Sequence, residues 1–470
     1  MAWKKFINQT DVEKINQATL NILERVGLKL EHEKIRERLL AAGALAGRDN
    51  ETVCFPRKMV AEYLALAPRE ALFCGRNERR WRVAPGGDPV FWTAAALNLR
   101  GPEGRREFDR NALARLSRLV DGLPHIDGVV GVSVSDIAPR FRDVAGYRVM
   151  AANTGKHVRV LSFSPEGVEA IAEMAGVLND SRTIAERPIF SVGFTAHGPL
   201  RWTGLALDVF YRSAGKGIPV MVNGEPMAGA SAPVTLAGAI TVGNAEILGG
   251  IVLNQVLEPG RPCVHNLGFA HVMDMRTGVA VTGAAENCLL AGAGAALANY
   301  YNLPSASWMS SDAMLADSQG AAEKTLAALS HAAAGVGLIW GAGTLESELC
   351  LSFAQTVIDN EIIGQVKRLL AGIRVDEETV AEKLIEEIGP CGNYLATEHT
   401  MRHFREEISE TGLFCRVPLE KWQEQGGKAL QELAEQRAWE IIAAASPPDL
   451  SPEQERELAK IEDQYIRSGY

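Results

Sequence analysis

Three tryptophans, Trp92, Trp308 and Trp340, stand at the carboxyl ends of strand-like runs, and His197, Asn223, Glu225, His265, Asn266 and Asp312 occupy related positions. An indole face attracts a cation through its ring quadrupole, by roughly 0.5 to 2 kcal/mol per face. For a cation with neither an N–H to donate nor a lone pair, aromatic contact is the main source of selective recognition. The three rings are therefore candidate walls of a cage for an organic cation, although a strand-end tryptophan can equally fill a barrel rim. Glu225 and Asp312 would add charge attraction, with an ion pair or cap at the rim as the structural alternative. Asn223 would orient the polar end of a ligand, and His265 is counted among the strand-end binding residues. His197, in TAHGPLRW, is placed either to hydrogen-bond a ligand carboxylate or to cap a helix starting near Trp202. Arg276 is read as holding loops together.

Metal chemistry finds little support. His399 and His403 have the i, i+4 spacing of two ligands on one helix, but Thr400, Met401 and Arg402 lie between them. The glutamate of HExxH is missing and no third ligand is evident, so the pair is read as packing and no metal is expected. The seven cysteines (54, 74, 263, 288, 350, 391 and 415) include no CxxC and suggest neither a zinc ribbon nor a disulfide framework.

Composition bounds the remaining classes. The chain has 470 residues, 47% of them hydrophobic and 23% charged, enough to bury a large core. A formal net charge of −10 argues against nucleic acid as a partner. The amino-terminal MAWKKFINQT has a basic pair with no apolar run behind it, so no signal peptide is expected and a reducing cytoplasm fits the cysteines. Residues 228–245 carry no charge. Their Gly, Ala, Ser and Thr content reads as a buried helix with close backbone neighbours, not a membrane span.

Eight strand-like runs would position the candidate residues: PVFWTAAALNL (89–99), GVVGVSVSD (128–136), HVRVLSFS (157–164), PIFSVGFTAHG (188–198), GIPVMVNGE (217–225), PCVHNLGFAH (262–271), PSASWMSSDA (304–313) and VGLIWGAGT (336–344). Apolar on both faces and separated by helical patterns, they suit a parallel sheet covered all round. An alternation repeated eight times over about 250 residues, with no GxGxxG and no Walker loop, predicts a closed (β/α)8 TIM barrel of the α/β class. Active sites of such barrels lie at the carboxyl ends of the strands, which is why those ends are searched. Asp109 is expected to cap a helix with Leu113, Leu116, Leu119, Val120 and Leu123 on one face. The expected organisation is a helical amino-terminal extension (1–88), the barrel (89–372) and a helical carboxyl-terminal region (373–470) ending in a charged surface helix from Pro447 onward.

Four segments of the second half, DMRTG (274–278), YYNLPS (300–305), SDAMLADSQGAAEK (311–324) and VIDNEIIG (357–364), resemble the trimethylamine methyltransferase superfamily, and the resemblance extends over roughly residues 10 to 445. Members pass a substrate methyl group to the Co(I) of a separate corrinoid protein, and the trimethylamine enzymes carry pyrrolysine in the barrel. Every position here is a standard residue. The chain thus resembles the non-pyrrolysine branch, which takes methyl groups from quaternary amines such as glycine betaine. The resemblance implies a quaternary amine:corrinoid Co-methyltransferase with no catalytic side chain beyond positioning. It also implies a cobalamin-bearing partner protein, since the chain has no DxHxxG motif of its own, and a homo-oligomer. Proline betaine, carnitine and choline stay open as methyl donors. A non-catalytic quaternary-amine binding protein with the same pocket is the alternative from another class.

Overall fold

The computed structural model describes residues 6–409 and 411–468. Its centre is a closed barrel of eight parallel strands: β1 Val90–Thr93, β2 Gly128–Val130, β3 His157–Arg159, β4 Phe190–Thr195, β5 Val220–Asn223, β6 Cys263–Asn266, β7 Ser305–Trp308 and β8 Leu338–Ala342. Each lies inside one of the eight predicted runs. The last strand pairs back on the first through Leu338 with Val90 and Ile339 with Phe91, so no edge is left. One principal helix follows each strand: α1 Arg110–Gly122, α2 Arg142–Asn153, α3 Gly167–Val177, α4 Gly204–Ser213, α5 Leu236–Leu257, α6 Ala285–Tyr300, α7 Ser318–Ala333 and α8 Phe353–Leu370. The Asp109 carboxylate caps α1, accepting the Ala112 N–H at 2.6 Å.

The uncharged stretch 228–245 is not one helix. Ala228 ends a two-residue strand, Gly229 adopts φ +93, and α5 begins only at Leu236, beyond Pro233. From there 22 residues run long and apolar enough to cross a membrane by length and composition, but most of their surface is inside the fold. Close approach explains the small residues: a Cβ on Gly249 would lie 2.1 Å from the Leu28 side chain, and one on Gly250 would lie 2.6 Å from Trp202.

The segment before β1 was expected to be helical. It contains helices Gln9–Arg25, Glu33–Ala41 and Arg57–Leu64, but also short strands Leu28–Leu30, Leu45–Ala46 and Thr52–Cys54, which join Arg201–Trp202 in a separate sheet. A further hairpin, Ala71–Cys74 with Arg80–Val83, closes the amino end of the barrel. The Cys74 N–H donates to the Pro188 carbonyl and Trp81 Nε1 donates to Asp127 Oδ1 at 3.1 Å, both acceptors preceding barrel strands. Phe73 and Val83 enter the lumen core, and exposed Arg80 and Arg82 alternate with them. Strands this short carry too little periodicity to separate from helical neighbours by sequence.

Beyond β8, strands Thr344–Leu345 and Cys350–Ser352 form a rim sheet with Asn98–Gly101 and Gly104–Glu107. After α8 the chain is helical. The charged terminal helix Pro452–Ser468 keeps most of its side chains exposed and docks on α3 through buried Leu458, Ile461 and Tyr465. Residues 469 and 470 of that expected helix lie outside the described residues. His403 Nε2 meets Glu378 Oε1 at 3.1 Å, and His399 Nε2 is 3.2 Å from the Glu378 carbonyl. Among the described residues no group of three or more His, Cys, Asp and Glu side chains is arranged to hold a metal.

Candidate functional site

Alternation along each strand decides which side chains enter the lumen. On β7 and β8 the inward positions are Ala306 and Trp308, Leu338 and Trp340. The last of each pair are cross-strand neighbours, with ring centroids 5.6 Å apart. Phe269, in the loop after β6, packs edge-on to both, at 4.6 Å from Trp308 and 5.6 Å from Trp340. These three rings form one aromatic wall near the carboxyl end. Asn223 and Asn266 continue the lumen surface: Asn266 Nδ2 donates to Asn223 Oδ1 at 2.8 Å, and Asn223 Nδ2 donates to the Thr195 hydroxyl at 3.1 Å.

The acidic side of the mouth is formed by Glu225, just past β5, and Glu348, beyond β8. Neither has a salt bridge among the described residues, and Glu348 Oε1 is buried without a hydrogen-bond partner. Burial pushes the Glu225 carboxyl up to about 7. It pushes Glu348 up to about 8, with the charge of Glu225 adding to the rise and that of Lys324 opposing it. Glu346, Ser347 and Glu348 all lie in the left-handed region, at φ 54, 49 and 77. Three consecutive non-glycine residues there are strained. The surroundings hold them: Glu346 pairs with Arg100 and Arg105, and the Ser347 hydroxyl donates to Asp312 at 2.7 Å.

Two expected site residues, His265 and Asp312, are committed elsewhere, and Trp92 and His197 lie outside the aromatic wall itself. Trp92 faces the lumen nearer its base, stacked on His157 at 5.0 Å, edge-on to Phe73 of the closing hairpin and 5.9 Å from the Trp340 ring, so it adjoins the wall from below. His265 points the other way, because it alternates with inward Val264 and Asn266. Its Nε2 meets Asn244 Oδ1 of α5 at 2.9 Å, and burial pushes its imidazole down to about 4. His197 is exposed, its Nδ1 3.2 Å from the Thr195 carbonyl, and it caps nothing, since α4 begins after Thr203. Asp312 accepts hydrogen bonds from Thr282 N–H and hydroxyl, Gly283 N–H and Ser347, so its lone pairs tie loops together and are not free for a ligand.

Three lumen or mouth residues were absent from the sequence reading: Phe269, Glu348 and Arg159. The last residue of β3, Arg159 is 4% exposed, with its guanidinium 4.9 Å above the Trp340 ring. A charged residue inside an otherwise apolar barrel strand was the available signal. Glu348 and Phe269 sit in loops, where no periodicity marks direction. A cleft of about 370 Å³ between residues 6–12 and helices α6 and α7 lies on the outside of the barrel, away from these groups.

Barrel, aromatic wall and acidic mouth define a (β/α)8 protein whose binding site suits a small organic cation. A family model for trimethylamine methyltransferase matches residues 2–467, and the chain belongs to that family. It is 32% identical to a trimethylamine methyltransferase of Desulfitobacterium hafniense over 93% of this chain and 89% of that protein. A glycine betaine methyltransferase of the same species is 28% identical, over 96% and 95% respectively. Among solved structures, the Methanosarcina barkeri monomethylamine methyltransferase covers 93% of this chain and 89% of its own, with a TM-score of 0.54 at 13% identity, a likeness of fold.

Proposed function

We propose that this methyltransferase takes a methyl group from a quaternary amine, glycine betaine or a close relative, and passes it to the cobalt of a corrinoid carried by a separate protein. The observation that carries the reading is the Trp308–Trp340–Phe269 wall facing a mouth with two buried carboxylates, Glu225 and Glu348, neither of which forms a salt bridge among the described residues. A trimethylammonium group brings a positive charge to the two carboxylates and presents methyl surface to the rings. The family supports methyl transfer, and the glycine betaine methyltransferase relative supports a quaternary donor.

The chemistry asks little of the side chains. The acceptor's electron pair forms the bond to the methyl carbon as the C–N pair leaves with nitrogen, and the product is a neutral tertiary amine. No proton moves, so no general acid or base is needed. The barrel holds one methyl toward the open mouth, and such positioning accounts for roughly 7 to 11 kcal/mol of a barrier. Self-association and a reducing cytoplasm belong to the same reading. Exposed Ile373, Val375, Leu395 and Ile408 support the first, and seven free cysteines support the second.

The test supplies the purified chain with Co(I) corrinoid protein and follows the cobalt spectrum. Methylation is expected with glycine betaine or a related quaternary amine and not with trimethylamine. Methylation by trimethylamine and by no quaternary amine would refute the assignment.

A further inference from the structure

The Arg159 side chain has no hydrogen bond and no ion pair among the described residues, although the residue is only 4% exposed. Its Nε is buried without a partner. An unpaired cation inside a protein is costly, several kcal/mol in real interiors, and persists where something else supplies the counter-charge. Burial alone displaces its titration, downward to about 10, with no carboxylate opposing it. Lumen walls are shaped around the group. The guanidinium lies over Trp340, and Gly193 of β4 leaves it room: a Cβ there would stand 2.4 Å from Arg159 Nη2.

We propose that Arg159 is the anion subsite of this pocket and that the substrate is a zwitterion, a quaternary ammonium bearing a carboxylate, not a purely cationic amine. The inference rests on the quaternary-amine reading and narrows it. Arg159 ends β3 against Trp340, while Glu225 and Glu348 belong to the loops beyond β5 and β8. Trp340 therefore has the guanidinium on it and forms part of the wall proposed for the ammonium. A carboxylate held on Arg159 turns the trimethylammonium end toward Trp308, Phe269 and the two glutamates, and so toward the mouth where an acceptor can reach a methyl. A guanidinium suits this task because its planar fork accepts a carboxylate through two parallel N–H bonds. Choline offers a hydroxyl at that place. It would leave the buried charge unpaired, which is how a site rejects an analogue lacking one group.

Calorimetric titration of the purified chain with glycine betaine and with choline tests this, because the two share the trimethylammonium and differ at the other end. Glycine betaine is expected to bind at least roughly tenfold more tightly than choline. Arg159→Gln should bring that ratio down toward one, and Arg159→Lys should restore part of it. As Arg159→Gln alters a buried side chain, Gly193→Ala is the second variant: its methyl displaces the guanidinium while the charge stays, and the ratio should again fall. Equal binding of the two ligands by the unmodified chain, or an unchanged ratio in the folded variants, overturns the anion subsite and leaves the quaternary-amine reading intact. Binding of neither ligand overturns both.

Discussion

Lys324 Nζ stands 3.5 Å from Asp359 Oδ2, with both side chains fully buried behind β7 and β8. The same ammonium donates to the carbonyls of Met309 and Gly341, at 2.8 and 2.6 Å, the residues immediately after Trp308 and Trp340. Asp359 in turn accepts the Gly343 N–H at 2.6 Å. Burial pushes the lysine down and the aspartate up, and each charge opposes the shift of the other. The pair holds the backbone that aims both indoles into the lumen.

Removing one partner leaves the other charge buried alone. Lys324→Met should therefore lower the unfolding free energy by about 3 to 5 kcal/mol, read from the denaturant midpoint. An unchanged midpoint would show that the pair contributes nothing net.

The cage makes a graded prediction. Trp308→Ala should weaken glycine betaine binding by roughly 0.5 to 2 kcal/mol through the lost face, with a separate stability loss of about 3 to 5 kcal/mol from the cavity. Trp92→Phe, at the base among Phe73 and His157, should leave affinity within about threefold, a difference under 1 kcal/mol. Equal losses of affinity in the two variants, measured by titration on folded protein, would discard the cage.

Titration of the mouth sets the sign of a pH effect. Glu225 and Glu348 lose their protons near 7 and 8, and a bound cation favours the charged forms. Affinity for the quaternary amine should thus rise from pH 6 to 9, with proton release on binding. In the unliganded protein the direction reverses: unfolded glutamate titrates near about 4.3, so between that pH and about 8 the folded state holds protons the unfolded state has released, and stability falls as pH rises. Thermal midpoints with and without ligand at pH 6 and 8.5 check both, the ligand-induced shift being the larger at 8.5.

Asp312 and Glu225 should separate structure from binding. Asp312→Ala removes the acceptor for Thr282, Gly283 and Ser347 and should cost about 1.5 to 3 kcal/mol of stability. Glu225→Gln should weaken cation binding while leaving the melting temperature unchanged or slightly raised, because it removes a carboxyl that burial already disfavours in its charged form. The opposite pattern in melting and titration experiments would exchange their roles.

The barrel was legible in the chain because eight both-face apolar runs at helix-crossover spacing leave few other ways to bury them, and the Asp109 cap needed only local hydrogen bonding. Trp308 and Trp340 were legible for the same reason, since they end two such runs. Facing direction was not. His265 lies between Val264 and Asn266, so a shift of one residue separates the lumen from α5, and the runs are apolar on both faces. Depth along the barrel was hidden as well: Trp92, though in ring contact with Trp340, lies nearer the end closed by the hairpin at Phe73, a contact between distant parts of the chain. Strand alternation and periodicity are local properties carried by residue type. Whether Arg159 stays unpaired, whether Asp312 is consumed by loops and whether Glu348 reaches the mouth depend on segments brought together from across the sequence, and only the closed tertiary structure decides them.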